Sequence, residues 1–142
     1  MKILVLTSRY TATRDIIGED FGRQTRLFSA LKKFDHSIDF LCADYKKKER
    51  KNLRLNGINV FIRPFGLLYF FRFLKFFNKI LKNKYDVVIG TSDPLWGAIG
   101  YYFSRKNNVK FIYDLHDNYE TYSTYKLPMF GLIDQYVMEK SD

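Results

Sequence analysis

Cysteine and histidine are scarce in this 142-residue sequence, which contains one Cys and two His. Cys42 therefore has no partner for an internal disulfide, and so few Cys and His residues exclude a Cys/His zinc site. No apolar run approaches the roughly 20 residues that a membrane-spanning helix needs. The first residues are typical of a short strand and not of a signal peptide, so we expect the chain to stay in a reducing cytosol.

Aromatic residues and positive charge, by contrast, are abundant: the sequence has 14 Phe, 11 Tyr and a formal net charge of +9. Its hydrophobic share of 46% and charged share of 27% are typical of a globular protein, and its length predicts a single domain over residues 1–142. Residues 46–85 hold twelve basic residues and one acidic residue. Because the basic charge belongs to one segment, it favours a local contact with an anionic surface.

Short apolar runs alternate with segments of helical spacing along the chain. The predicted strands are Lys2–Thr7, Ser37–Cys42, Ile58–Arg63, Asp86–Gly90 and Val109–Asp114. The predicted helices are Glu19–Phe34, Leu67–Leu81, Leu95–Arg105 and Phe130–Lys140, and the run Lys46–Lys51 is expected to be a solvated loop. This order predicts an α/β fold, a Rossmann-like parallel sheet with helices on both faces.

Ligands of such sheets bind beyond the carboxyl ends of the strands, near the point where the strand order reverses. This rule gathers the segments Ser8–Gly22, Thr91–Trp96 and His116–Glu120 around one crevice. Candidate acceptor-binding residues in these segments are Ser92, Asp93, Tyr119 and Glu120. For Tyr119 and Glu120, a solvated loop position is an equally good interpretation.

Gly18 and Glu19 stand where the first predicted helix begins. A glycine at this place lets backbone N–H groups approach a phosphate, and the helix N-terminus adds partial positive charge. The spacing is neither G-x-G-x-x-G nor a P-loop, so an ordinary turn before a helix is the alternative.

His116 and Asp117 directly follow the last predicted strand and are the candidate catalytic residues. A histidine at the carboxyl end of a strand can donate a hydrogen bond to a substrate oxygen or transfer a proton. The alternative is a histidine whose hydrogen bonds are satisfied within its own loop. No Ser- or Cys-based nucleophile motif accompanies the pair, so nucleophilic hydrolysis has no support.

The segment from Phe65 to Lys84 combines an apolar stripe with basic residues. Its helical spacing forms a core stripe, and two further aromatic residues widen the apolar surface. The residues expected to contact a membrane are Phe71, Arg72, Lys75, Phe76, Lys79 and Lys82. This pattern is typical of a helix in a membrane interface, where each basic residue near an anionic leaflet contributes about 1 kcal/mol. A core helix with a solvated basic back is the alternative, and no motif supports nucleic acid as a partner.

Taken in order, several segments resemble the N-terminal, acceptor-side half of GT-B-fold glycosyltransferases of the retaining family 4 type. The matching positions are Lys2–Thr7, Gly18, Leu27, Leu31, His36, Asp86–Gly90, Tyr113–Asp117 and Met138–Asp142. The family usually has a Gly-Gly pair where this sequence has Gly18-Glu19, and Gly-His where it has Asp35-His36.

The resemblance implies transfer of a sugar from a nucleotide-sugar, the co-substrate, to a glycan or lipid-linked acceptor, as in polysaccharide biosynthesis. It implies no metal and no further cofactor. By their match to the family, Gly18 would face the donor phosphates and His116 would contact the sugar. Since many members use membrane-presented acceptors, we expect a cytoplasmic protein held peripherally on the inner face of the membrane.

The family's second domain, which binds the donor, has no counterpart in these 142 residues. We therefore expect an incomplete enzyme that is inactive alone and is completed by a donor-binding domain or partner subunit. The alternative is a non-catalytic Rossmann-like binding module that docks on an anionic membrane or on a partner subunit.

Overall fold

The structure is a computed structural model that describes residues 1–11, 14–20, 22–91, 93–115 and 129–141. Its strands are β1 (Lys2–Ser8), β2 (Tyr10–Thr11), β3 (Arg14–Asp15), β4 (Ser37–Asp44), β5 (Lys51–Leu55), β6 (Ile58–Pro64), β7 (Val87–Thr91) and β8 (Lys110–Asp114). Its helices are α1 (Arg23–Leu31), α2 (Phe70–Leu81), α3 (Pro94–Lys106) and α4 (Phe130–Lys140). Short 3₁₀ turns at Lys32–Phe34 and Leu67–Tyr69 adjoin α1 and α2.

Within the described residues, the main sheet has the strand order β5-β6-β4-β1-β7-β8. The central strand β1 pairs in parallel with β4 on one side and β7 on the other. Its apolar run is buried on both faces, as a central parallel strand requires. The chain first builds outward through β4 and β6 and then crosses to the other side of β1 with β7. The strand order therefore reverses between β1 and β7.

Helices cover both faces of the sheet. On one face, Phe28 of α1 packs edge-on against Phe40 of β4, with ring centroids 5.6 Å apart. On the other face, α2, α3 and α4 share a core in which Phe77 contacts Phe103 at 5.4 Å. This arrangement confirms the predicted Rossmann-like α/β fold, and most element boundaries differ from the predicted ones by one to three residues.

The edge strand β5 corrects the prediction of an all-parallel sheet. It pairs antiparallel with β6, and its first residue, Lys51, had been assigned to the solvated loop. From Asn52 onward, exposed and half-buried residues alternate along β5, as expected of a strand at a sheet edge. The turn between the two strands is Asn56-Gly57, both at positive φ, which is a typical hairpin signal.

The start of the first helix is also corrected, since α1 begins at Arg23 and not at Glu19. The Asp15 side chain accepts the backbone N–H groups of Ile17 and Gly18 and so folds this segment into a turn. Gly22, with φ of 104°, then directs the chain into the helix. Gly18 consequently lies in a turn ahead of α1 and not at its N-terminus.

Candidate functional site

The carboxyl ends of β1 and β7 meet where the strand order reverses. β1 ends at Ser8 and β7 at Thr91. The indole Nε1 of Trp96, in the first turn of α3, donates to the Ser8 hydroxyl at 2.8 Å. This hydrogen bond joins the segment after β7 to the end of β1, so two of the three predicted crevice segments lie together.

Arg9, which sequence analysis did not single out, is a buried cation directly after β1, with 7% of its surface exposed. Its guanidinium contacts the carboxylates of Asp15 at 2.7 Å, Asp44 at 2.9 Å and Glu49 at 2.7 Å. Asp44, fully buried at the end of β4, also accepts three backbone N–H groups of the following loop. This arginine–carboxylate cluster therefore ties the loops after β1 and β4 together at the carboxyl edge of the sheet.

The cluster shifts the pKa values of its members. Burial would raise the pKa of Asp15, but hydrogen bonds from Arg9 and from the amides of Gly18 and Ile17 outweigh it, so the pKa lies below its ordinary value. Burial acts to lower the pKa of Arg9, and its hydrogen bonds to Asp15 and Glu49 raise it above the ordinary value instead. Both groups are therefore charged at neutral pH and hold each other in place.

Gly18 and Glu19, the predicted donor-phosphate residues, are engaged within their own loop. The Gly18 N–H donates to Asp15 Oδ1 at 2.9 Å. The Glu19 carboxylate accepts from the Arg14 guanidinium at 2.7 Å and from the backbone N–H of Asp15 at 3.1 Å. A phosphate at Gly18 would have to displace the Asp15 carboxylate from this amide, so contact with the donor stays a prediction.

Asp93 begins α3 and acts as its N-cap. Its Oδ1 accepts the Leu95 N–H at 2.8 Å, and Pro94 occupies the first helical position, where a missing N–H costs nothing. Burial raises the pKa of Asp93, and the hydrogen bond from Leu95 offsets part of that rise. One carboxylate oxygen is thus committed to the helix, and the predicted acceptor contact of Asp93 stays a prediction.

The carboxyl end of β8 meets the start of α1. Asp114, the last residue of β8, accepts a hydrogen bond from the Arg23 guanidinium at 3.0 Å. This ion pair joins the end of β8 to the first turn of α1, the helix that follows the first loop. The predicted site residues Ser92, His116, Asp117, Tyr119 and Glu120 lie outside the described residues.

Exposed apolar side chains mark the beginning of α2. Leu67 is 94% exposed, Leu68 87% and Phe71 80%. The basic residues expected at a membrane, Arg72, Lys75, Lys79 and Lys82, are also exposed. Sequence analysis missed Leu67 and Leu68, whose signal is an apolar pair directly after Gly66, ahead of the core stripe.

Phe76 differs from the other residues of the expected membrane face. It is half-buried, and its ring lies 3.9 Å from the Arg63 guanidinium carbon. The apolar contribution to the exposed surface thus comes from Leu67, Leu68 and Phe71. None of the helices in the described ranges is both long enough and apolar enough to cross a membrane.

Comparison with known protein families identifies the family of this chain. The sequence profile described as Glycosyltransferase Family 4 matches residues 25–140, which is most of the chain. The chain belongs to this family. A family 4 glycosyltransferase has the GT-B architecture, and the match confirms the predicted relationship to its N-terminal part. A search of curated proteins found no match to the chain.

The family 4 match has a defined extent within the fold. It begins in α1 and includes Asp93, the segment 116–120 and the whole of α2. The arginine–carboxylate cluster is divided, since Arg9 and Asp15 precede the match whereas Asp44 and Glu49 lie inside it. Gly18 and Glu19 also precede it, so the family match itself adds nothing to their predicted role.

Proposed function

We propose that this chain is the N-terminal, acceptor-binding part of a glycosyltransferase that moves a sugar from a nucleotide-sugar to a membrane-presented acceptor. Family 4 membership supports sugar transfer from an activated donor. The observation that carries the membrane part is an exposed apolar–basic face at the start of α2. This face consists of Leu67, Leu68 and Phe71 with the basic residues Arg72, Lys75, Lys79 and Lys82. We further propose that the protein lies peripherally on the inner face of the membrane.

The position of this face relative to the crevice supports the proposal. β6 runs parallel to β4, and β4 to β1, so the carboxyl ends of all three lie at the same edge of the sheet. α2 follows β6 after a short turn, so the exposed residues Leu67 and Leu68 of this turn and Phe71 of α2 begin at that edge. A membrane bound by these side chains would lie beside the edge that carries the crevice, within reach of an acceptor held in the bilayer.

Roles at the crevice belong to the same proposal. Those of Gly18 and His116 are what the resemblance to family 4 implies, and the acceptor contacts are proposed from the positions of their segments around the crevice. His116 contacts the transferred sugar, with Asp117 beside it. Gly18 and Glu19 face the donor phosphates, which requires the Gly18 N–H to exchange the Asp15 carboxylate for a phosphate oxygen. The acceptor is contacted by Ser92, Asp93, Tyr119 and Glu120.

Replacing Phe71 by serine is expected to weaken binding to vesicles of phosphatidylcholine and phosphatidylglycerol by about 10- to 100-fold. Transfer of a large apolar side chain out of water contributes about 1.5–3 kcal/mol, and each tenfold change in affinity corresponds to about 1.4 kcal/mol. Co-sedimentation at increasing lipid concentration measures the effect. Binding should also weaken with added salt, because the basic residues act through the surface charge of the bilayer.

The matched control is Leu132→Ser, which removes another exposed apolar side chain, 70% exposed on α4. It should leave vesicle binding unchanged, because Leu132 has no place in the apolar–basic face. Equal losses in the two variants, or no binding by the unmodified chain, would contradict membrane contact through α2.

A second expectation concerns catalysis: the purified 142-residue chain should transfer no sugar from radiolabelled nucleotide-sugars to membrane acceptors. In the described part of the first loop, the Gly18 amide and the Glu19 carboxylate already have partners within the chain. Measurable transfer by the chain alone would contradict this proposal. The intact mass of the native protein, detected through peptides of residues 1–142, distinguishes a two-domain enzyme from a short module that needs a partner subunit.

A further inference from the structure

A pocket of about 320 Å³ lies between β6, α2 and the loop after β4. Four basic side chains line it, together with three aromatic residues, Tyr69, Phe73 and Phe76. The basic residues are Arg50, Arg63, Arg72 and Lys75. Two of these come from α2 and two from the β4–β6 region, so the fold brings together cations that are distant in sequence.

Arg63 is the fixed element of this basic pocket, with only 7% of its surface exposed. Its guanidinium donates to the backbone oxygens of Ile62 at 2.7 Å and Lys51 at 3.1 Å, and to Asn52 Oδ1 at 2.8 Å. All three acceptors are neutral. They orient the guanidinium without neutralising its charge.

None of the four basic residues forms an ion pair with a carboxylate in the part of the chain that the structure describes. Arg9, the other buried arginine, contacts three carboxylates. The Nε of Arg63 is buried and has no hydrogen-bond partner among the described residues. Burial and the nearby charge of Arg50 both lower the pKa of Arg63. A buried cation without a counter-ion is unfavourable, and a bound anion would relieve this cost.

We propose that this basic pocket binds the phosphate group of an amphiphilic lipid. Guanidinium groups match phosphate oxygens in geometry as well as in charge, and three arginines with a lysine suit a group that carries up to two negative charges. The exposed side chains of Leu68 and Phe71 are next in sequence to the pocket residues Tyr69 and Arg72. An apolar chain attached to the phosphate can therefore pack on the same surface that we propose to contact the membrane. This inference rests on the proposed membrane contact and specifies the chemistry recognised there.

The test titrates the 142-residue chain with dihexanoyl phosphatidic acid, a short-chain lipid with a phosphate headgroup, by isothermal titration calorimetry. Arg63→Met and Arg72→Ala should each weaken binding at least about tenfold, since a hydrogen bond to a charged group contributes more than a neutral one. Lys33→Ala, which removes the same charge from an exposed position outside the pocket, should bind as the unmodified chain does. Dihexanoylglycerol, which lacks the phosphate, should not bind.

Arg72 is exposed and keeps the test decisive should Arg63→Met fail to fold. Unchanged affinity in Arg72→Ala, or no binding of dihexanoyl phosphatidic acid by the unmodified chain, overturns the proposal. Inorganic phosphate that binds as tightly as the short-chain lipid overturns the lipid assignment, since a free phosphate site would then suffice.

Vesicle binding separates failure of this inference from failure of the proposed function. If the unmodified chain binds phosphatidylglycerol vesicles and Arg63→Met and Arg72→Ala bind them equally well, the pocket assignment fails while membrane contact stands. If the unmodified chain binds no vesicles, the proposed membrane contact fails. The assignment of the pocket to a lipid phosphate rests on that contact and fails with it.

Discussion

Replacing Arg9 by methionine is expected to lower the free energy of unfolding by about 3–5 kcal/mol at neutral pH. Methionine keeps part of the apolar stem of the arginine side chain, but it leaves the half-buried carboxylate of Asp15 and the buried carboxylate of Asp44 without a cation. Asp44 is fully buried, so its charge cannot be solvated by water in place of the guanidinium. A loss of this size is a large share of the stability of an ordinary domain, which is about 5–15 kcal/mol.

Urea unfolding followed by the fluorescence of Trp96 measures this change. Trp96 is the single tryptophan of the chain and is buried, so its emission reports loss of the native core. The matched control is Arg14→Met, which removes an arginine from an exposed ion pair with Glu19 and should shift the unfolding midpoint very little. Equal shifts in the two variants would show that the cluster does not stabilise the fold through buried charge.

The pH dependence provides a second test of the same cluster. In the native chain, the pKa of Asp15 is below its unfolded value, so its stabilising contribution is present above that value and is lost as the pH falls through the folded pKa. Without Arg9, only the amide hydrogen bonds of Gly18 and Ile17 still oppose desolvation, so the pKa of Asp15 is higher in Arg9→Met than in the unmodified chain. The stability deficit of Arg9→Met should therefore shrink as the pH is lowered below about 4, toward the folded pKa of Asp15.

This cluster also shows why part of the candidate site could not be predicted from the sequence. Two of the partners of Arg9, Asp44 and Glu49, are 35 and 40 residues away, and the pairing of β1 with β4 brings them to Arg9. The strands themselves were predictable, because β1, β4 and β7 are short apolar runs buried on both faces. Local patterns thus predicted the sheet, whereas the charge cluster at its edge depends on tertiary structure.

Two local features, the start of the first helix and the edge strand β5, were predicted wrongly for physical reasons of the same kind. The first helix was predicted to begin at Glu19, but the Asp15 side chain accepts hydrogen bonds from the following amides and keeps this segment in a turn. The edge strand β5 contains no apolar run, and its one local signal was the Asn56-Gly57 turn. In both places a short polar motif outweighed the periodicity on which the prediction depended.

The amphipathic pattern of α2 was predictable from the sequence. A second stability prediction follows from which face of α2 packs against the sheet. Phe77→Ala is expected to lower the free energy of unfolding by about 3–5 kcal/mol, the usual range for a buried phenylalanine. Phe77 is fully buried and packs against Phe103. Phe71→Ala makes the same chemical change six residues earlier on the same helix, at a side chain that is 80% exposed, and should change stability by less than about 0.5 kcal/mol.

The pair of variants also tests the geometry on which membrane contact depends. Phe71→Ala should lose vesicle binding while keeping its stability. Phe77→Ala should lose stability but, in the absence of urea, where it is still folded, should keep vesicle binding. Equal stability losses would mean that α2 is rotated about its axis relative to the sheet. In that case the face shared by Arg72, Lys75 and Lys79 would not be exposed. Neither the membrane contact nor the basic pocket would then have structural support.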